Sequence, residues 1–337
     1  MSLEGSPRFS CNLSNSAYVT SIESNGGSSL AVVLSNNSVV LVDSTSGKTV
    51  RELKFDVPIT GVGYDGEVVR VVDSSLKIHT ADGREGGVHT KKIALSLSDH
   101  LPSSCAFSSS FVSIATKGAT AAPQGSGDES DEETSSENYL VWLLDERSMK
   151  EVFVEGDAHS DTITSLAFSR DNSCLLSGGS DGLLNVMDPL ESEGEYVVST
   201  SQIDSAVAKV GALSENNLIY AVTDDNKWSL LRMNSVDDVD LLFNRRTARD
   251  RFIVDVVSTP SSFPVTVIEC DPTGNVFAVG VTTDGKKSDI VGEWKGAHRE
   301  IVRCATLVDF TLFTGAEDGW LSMQDQFKFW LLAKHID

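Results

Sequence analysis

The chain is patterned as short apolar runs split by clusters of turn residues. LAVVLSNNSVVLVD (30–43), VVRVVDSSLKIHT (68–80), CLLSGGSDGLLNVMD (174–188), IYAVTDDNKWSLLRM (219–233), VFAVGVTTDG (276–285) and LFTGAEDGWLSM (312–323) all read this way. Each has a β-like run rich in Val, Ile, Leu or Phe, then Asn, Asp, Gly or Ser, and in most a second β-like run. Asn, Asp and Gly between two such runs supply the backbone freedom that a tight hairpin needs. A sustained 3.6-residue period is almost absent, so strands rather than helices are expected to build the core.

The predicted turns fall at Asn37, Asp73, Asp181, Asp225, Asp284 and Asp318. They recur at roughly forty residues, the length of one four-stranded propeller blade. The long interval between Asp73 and Asp181 has room for one more unit, with strands in CAFSSSFVSIAT (105–116) and NYLVWLLD (138–145). The pattern therefore predicts an all-β, seven-bladed β-propeller of four-stranded antiparallel blades. Blades are expected over about 18–55, 59–95, 103–156, 159–200, 206–244, 252–294 and 298–324. A single such sheet cannot bury both of its faces. Stacked around an axis, each sheet covers its neighbour and only short edges stay open.

Two insertions and the ends break the period. KGATAAPQGSGDESDEETSSE (117–137) has no large apolar residue and an acidic second half, so it is expected to be disordered. The unit around 243–268 is long and carries NRRTARDR and PSSFP. After Gln324 the segment DQFKFWLLAKHID (325–337) shows no repeat signature, which predicts an irregular or incomplete last blade. RFSCNL (8–13), within an N-terminal tail of residues 1–17, is expected to pair beside that blade and close the ring.

The stretch SGGSDGLLNVMD (177–188) admits two readings. Gly178-Gly179-Ser180-Asp181-Gly182 fits a G-x-S-x-G nucleophile elbow, with Ser180 as the nucleophile of a serine hydrolase. An elbow leads from a strand into a helix. Here Gly182 is followed by LLNVMDP, a β-like run ended by Pro189, and the turn spacing already accounts for the glycines. The hydrolase is therefore the remote alternative.

The surrounding segment, GDAHSDTITSLAFSRDNSCLLSGGSDGLLNVMD (156–188), resembles a repeat of the WD-repeat family. KGAHREIVRCATLVDFTLFTGAEDGWLSMQ (295–324) resembles a second one. The resemblance implies a β-propeller that serves as a non-catalytic scaffold or adaptor. It also implies a hydrogen-bonded chain in which the turn Asp accepts from a His ring and a Ser or Thr hydroxyl links that His to a Trp indole. Carried over, the chains are His159–Ser177–Asp181 and His298–Thr314–Asp318, with Met187 and Gln324 in the place of Trp. There is no Trp-Asp dipeptide anywhere. The corresponding places hold Val42-Asp43, His79-Thr80, Leu144-Asp145, Met187-Asp188 and Leu231-Arg232.

Charge narrows the choice of partner. The 337 residues include 27 Lys and Arg against 49 Asp and Glu, a formal net charge of -22. Such a surface repels phosphate backbones and anionic lipid, so basic peptides or subunits are expected as partners, rather than nucleic acid or membrane. The five cysteines are widely spaced without a C-x-x-C, and the histidines do not cluster at ligand spacing. These features predict free thiols in an intracellular protein, of the cytoplasm or nucleus, with no metal or cofactor. No basic n-region and apolar h-region mark the start as a secretory signal.

Several side chains are candidate contacts. Arg245, Arg246, Arg249 and Arg251 form a local basic cluster that could dock an acidic partner. Trp142 and Trp228 lie in β runs and are expected in the core. Trp294 and Trp320 adjoin turns and are expected on a face, where Trp often anchors interfaces. His79 is expected within a strand and His100 in a loop. Ser126 and Ser130 each precede an acidic residue at +3, a pattern that acid-directed kinases favour. The leading expectation is a scaffold that is monomeric by itself. The alternative is a permanent structural subunit of a larger complex.

Overall fold

The computed structural model describes residues 4–5, 9–93, 100–119, 137–191, 194–214, 217–259 and 263–324. Seven antiparallel sheets succeed one another along the chain. From the innermost strand outward, blade 1 comprises Val19–Ser24, Ser29–Leu34, Ser38–Asp43 and Thr49–Lys54. Blade 2 comprises Ile59–Asp65, Val68–Asp73, Lys77–Asp82 and Val88–Lys92, and blade 3 Leu101–Phe107, Phe111–Ala119, Glu137–Asp145 and Glu151–Glu155. Blade 4 follows with Ile163–Phe168, Leu175–Gly179, Leu183–Met187 and Val197–Gln202, and blade 5 with Val207–Ala212, Leu218–Thr223, Lys227–Ser235 and Asp238–Arg246. Blade 6 holds Phe252–Ser258, Val265–Cys270, Val276–Val281 and Ser288–Trp294, and blade 7 Val302–Val308, Thr311–Ala316 and Trp320–Gln324.

The apolar alternation is spent between blades. Each hydrophobic cluster joins two sequence neighbours. Val33, Leu41, Val62 and Val71 pack blade 1 on blade 2, and Ile78, Val112, Ile114 and Leu144 pack blade 2 on blade 3. Like clusters continue through blades 3 to 7. A last one, with Val19, Val32, Phe313 and Leu321, packs blade 7 back on blade 1. Seven interfaces between seven sheets make a closed ring, and the fold is an all-β seven-bladed propeller. Among the described residues no helix is long and apolar enough to cross a membrane.

Blade 7 takes its outermost strand from the other end of the chain. Phe9–Asn12 runs antiparallel to Trp320–Gln324, with Cys11 opposite Leu321. Just before it, Glu4–Gly5 pairs in parallel with Glu293 and Trp294 at the edge of blade 6. The N-terminal segment thus straps two blades together. Residues 325–337 lie outside the described residues.

Two expectations from the turn pattern need correction. Asp284 joins the third and outermost strands of blade 6. The turn equivalent to Asp181 and Asp318 in that blade is Asp271–Gly274, where Gly274 has φ +82°. The unequal spacing around Asp284 arises from comparing turns at opposite ends of the blades. The acidic insertion is also shorter than expected. Lys117, Gly118 and Ala119 pair with Tyr139, Asn138 and Glu137, so both edges of the 117–137 segment are strand. The rest of that segment lies outside the described residues, and with it Ser126 and Ser130.

Candidate functional site

Antiparallel order divides the connections between two faces. Turns joining first to second strands, and third to outermost strands, lie on one face, here the lower. Turns joining second to third strands, and the connections between blades, lie on the upper face.

On the upper face of blade 4, Asp181 collects three donors. They are His159 Nδ1 at 3.1 Å, the Ser160 amide at 2.9 Å and the Leu183 amide at 3.1 Å. His159 Nε2 lies 2.8 Å from Ser177 Oγ. Burial depresses the His159 pKa, and the Asp181 carboxylate only partly restores it, so the ring is neutral at pH 7. A neutral ring that donates from Nδ1 to the carboxylate must accept at Nε2. Blade 7 repeats the arrangement. His298 Nδ1 is 3.3 Å from Asp318, and Nε2 is 2.8 Å from Thr314 Oγ1. Burial alone would raise the Asp318 pKa, but donation from His298 and from the Arg299 and Trp320 amides lowers it.

The fourth partner is present in both chains, although neither uses Trp. Gln324 Nε2 donates to Thr314 Oγ1 at 3.0 Å. In blade 4 Met187 has no polar group to offer. Asn185 on the same strand donates to the Ala158 carbonyl at 2.6 Å and lies 3.2 Å from His159 Nε2. Blade 3 holds a third chain that sequence reasoning missed. His100 Nδ1 lies 3.1 Å from Thr116 Oγ1, and Trp142 Nε1 donates to the same oxygen at 2.9 Å. Trp142 faces Ile114, just as Met187 faces Leu175 and Gln324 faces Leu312. The Trp place of blade 3 is therefore 142, not 144, and His100 lies in the connection before strand Leu101–Phe107, as expected, but buried. The available signal was spacing: with residues 120–136 left out of the count, Thr116 and Trp142 are nearly as far apart along the sequence as Thr314 and Gln324.

Other candidates divide. Trp142 and Trp228 are buried as expected. Trp294, expected on a face, is instead buried in the cluster between blades 6 and 7 and cannot meet a partner, while Trp320 stays partly exposed. His79 bonds through Nε2 to Asp73 at 2.7 Å. The arginine cluster is broken up. Arg246 pairs with Asp225 at 2.9 Å, and Arg251 pairs with Glu269 at 3.2 Å while lying over the Phe277 ring. Arg245 is half-buried and Arg249 exposed, neither with a carboxylate partner among the described residues. Ser180 sits in the turn before strand Leu183–Met187, its amide bonded to the Thr162 carbonyl. A nucleophile elbow would need a helix there. The thiols are all free, and burial raises every one, Cys270 to about 11 and Cys304 to about 12, so none is a nucleophile at neutral pH.

The lower half of the central channel is the second notable site. Lys209 Nζ contacts Asp255 Oδ2 at 2.6 Å, and Tyr220 donates its hydroxyl to Asp255 Oδ1 at 2.8 Å. Glu23 lines the same cavity, of about 470 Å³, and among the described residues its carboxylate makes no hydrogen bond or ion pair. Glu23 is exposed to the water of the channel, whose protein walls partly desolvate its carboxylate. That desolvation pushes its pKa up to about 7, against the pull of Lys209 and with the push of Asp255. Burial works against the charge on Lys209, but Asp255 outweighs it and the ammonium persists.

No protein-family model matches the chain, and no curated protein matches it significantly.

Proposed function

We propose that this propeller is a non-catalytic scaffold of WD-repeat type that binds basic segments of other proteins. One observation carries the reading. The sequence's candidate reactive groups are taken up by the architecture: the imidazoles of His100, His159 and His298 tie turns to strands, the thiols are protonated, and Ser180 is part of a tight turn. What is left for function is surface, on a rigid ring with a formal net charge of -22. Propellers commonly hold other proteins in this way, although fold alone does not name the partner.

The reading places the protein inside the cell, in cytoplasm or nucleus, as a monomer that meets its partners transiently. It includes neither nucleic acid nor membrane as a direct ligand. The order of features also resembles WD repeat-containing protein 89. That likeness rests on SGGSDGLLNVMD, on the acidic insertion in the third unit and on a late unit ending in TGAED.

The test is affinity capture from cell extract across a salt series, with native size-exclusion alongside. Captured proteins should carry Lys- and Arg-rich segments and be lost as salt rises, because screening weakens exposed charge pairs. Capture that ignores salt would refute the electrostatic basis. Elution only within a large stable assembly, rather than near 36.2 kDa, would favour a permanent subunit.

A further inference from the structure

Three depressions on the lower face run into one another. A groove between blades 4 and 5, of about 480 Å³, shares Ala212, Leu213 and Ser214 with the channel cavity. The channel cavity shares Glu23, Leu166 and Phe168 with a depression of about 520 Å³ over blades 1 to 3. Together they form one trough that crosses the face through the channel mouth. Its outer end is floored by Leu213, Leu218, Met233 and Val236. Arg170 and Asp171 line that end, and Asp237 follows Val236. Hydrogen bonds from Ser173 and Ser235 hold these two carboxyls below their usual pKa, so both stay charged.

We propose that this trough receives an extended segment of a partner, an Arg or Lys side chain of which enters the channel beside Glu23 while a nearby aliphatic side chain rests in the groove between blades 4 and 5. The proposal rests on the basic-partner reading above and adds the face and the residue. Its ground is the charge inventory around Glu23. Lys209 faces it from blade 5 and Asp255 from blade 6, with the phenol of Tyr220 and the thiols of Cys105 and Cys304 completing the titratable neighbours. Those two thiols and the phenol are pushed up and stay neutral. Ser165 of blade 4 and Val62 and Gly63 of blade 2 bring no charge. Two carboxylates thus meet one ammonium, and that ammonium is already engaged by Asp255. A guest cation supplies the missing partner of Glu23. An anionic guest is disfavoured. Arg70, the cation at the far end, bonds to the Ser108 carbonyl and stands 3.5 Å from both Asp65 and Glu146.

The test is selection of a random octapeptide phage library on the full chain, on Glu23→Gln and on Arg249→Ala. The last variant alters the upper face. Clones enriched on the wild type should share one Arg or Lys position with an aliphatic residue nearby. A histidine-free peptide from that set should bind about tenfold tighter at pH 8 than at pH 6, because the ionised fraction of a carboxyl with a pKa near 7 rises by that factor. Glu23→Gln should weaken binding at least tenfold and abolish the pH dependence, while Arg249→Ala changes neither. Cationic clones that bind the wild type and Glu23→Gln equally would overturn the channel assignment and leave the basic-partner reading standing. A selection without cationic enrichment would overturn both.

Discussion

Ring closure hangs on a glycine. The Gly319 carbonyl accepts the Leu13 amide at 3.0 Å and the Ser14 amide at 3.3 Å, where the N-terminal strap meets blade 7. Gly319 has φ +75°, and a Cβ built there would lie 2.1 Å from the Ser14 oxygen and 2.7 Å from the Ala17 oxygen. Both obstacles are backbone, so no side-chain rotation relieves them. Gly319→Ala therefore combines a left-handed backbone cost of about 1 kcal/mol with an overpacking cost of about 1–3 kcal/mol. We expect a loss of about 2–4 kcal/mol on those two principles together. Gly296→Ala is the control. Its φ is +65° with nothing within 4 Å of a Cβ, so only the backbone cost of about 1 kcal/mol applies. Urea unfolding gives both values. Hydrogen exchange at Leu13 and Ser14 shows whether the strap lifts first, by about tenfold for every 1.4 kcal/mol of local loss. Equal losses in the two variants, or unchanged exchange at Leu13, would refute the closure argument.

Four further outcomes are expected. Thr314→Val keeps the shape but strands His298 Nε2 in the core and leaves Gln324 Nε2 with Ser322 Oγ alone; thermal melts should show a loss of about 1–3 kcal/mol, and no loss would mean the chain is slack. Glu23 has a folded pKa above its unfolded value of 4.5, so its stabilising contribution is complete below 4.5 and lost as pH rises through about 7. Glu23→Gln should accordingly match the wild type near pH 4.5 and exceed it in stability at pH 8, and a gap constant with pH would contradict this. Asp318 is shifted the other way: its contribution is present above the ordinary carboxyl pKa and fades as pH falls through the lowered folded value. Asp318→Asn should remove part of the acid slope in melts between pH 5 and 2, relative to the wild type. Disulfide-exchange reagents at pH 8 should label Cys270 and Cys304 slowly in the native protein and rapidly in urea, and fast native labelling would contradict their burial.

Much of the architecture was legible along the chain. Period-two apolar runs such as LAVVL (30–34) and turn clusters such as Gly179–Gly182 are local signals, and burial in a sheet demands both. Blade number, the likeness of blades 4 and 7, and the strand-forming character of residues 8–13 followed from them. The polar chain of blade 3 did not. Its donor and acceptor sit on strands separated by the insertion, and strand register decides which residue of NYLVWLLD meets Thr116. Register is a property of the paired sheet, and a small offset changes every partner.

Trp294 shows the same limit from the other side. Its neighbours in sequence are Glu293 and Lys295, which read as surface, yet the ring of blade 6 turns it against blade 7. The sequence by itself determined an acidic, all-strand repeat chain, because composition and alternation are additive along the backbone. Only the tertiary structure decided that Glu23, Lys209 and Asp255, far apart in the chain, share one channel. Closing the ring brings the innermost strands of blades 1, 5 and 6 around a common axis, and that crowding turns the Glu23 of an ordinary VTSIES strand into a carboxyl with a pKa near neutrality.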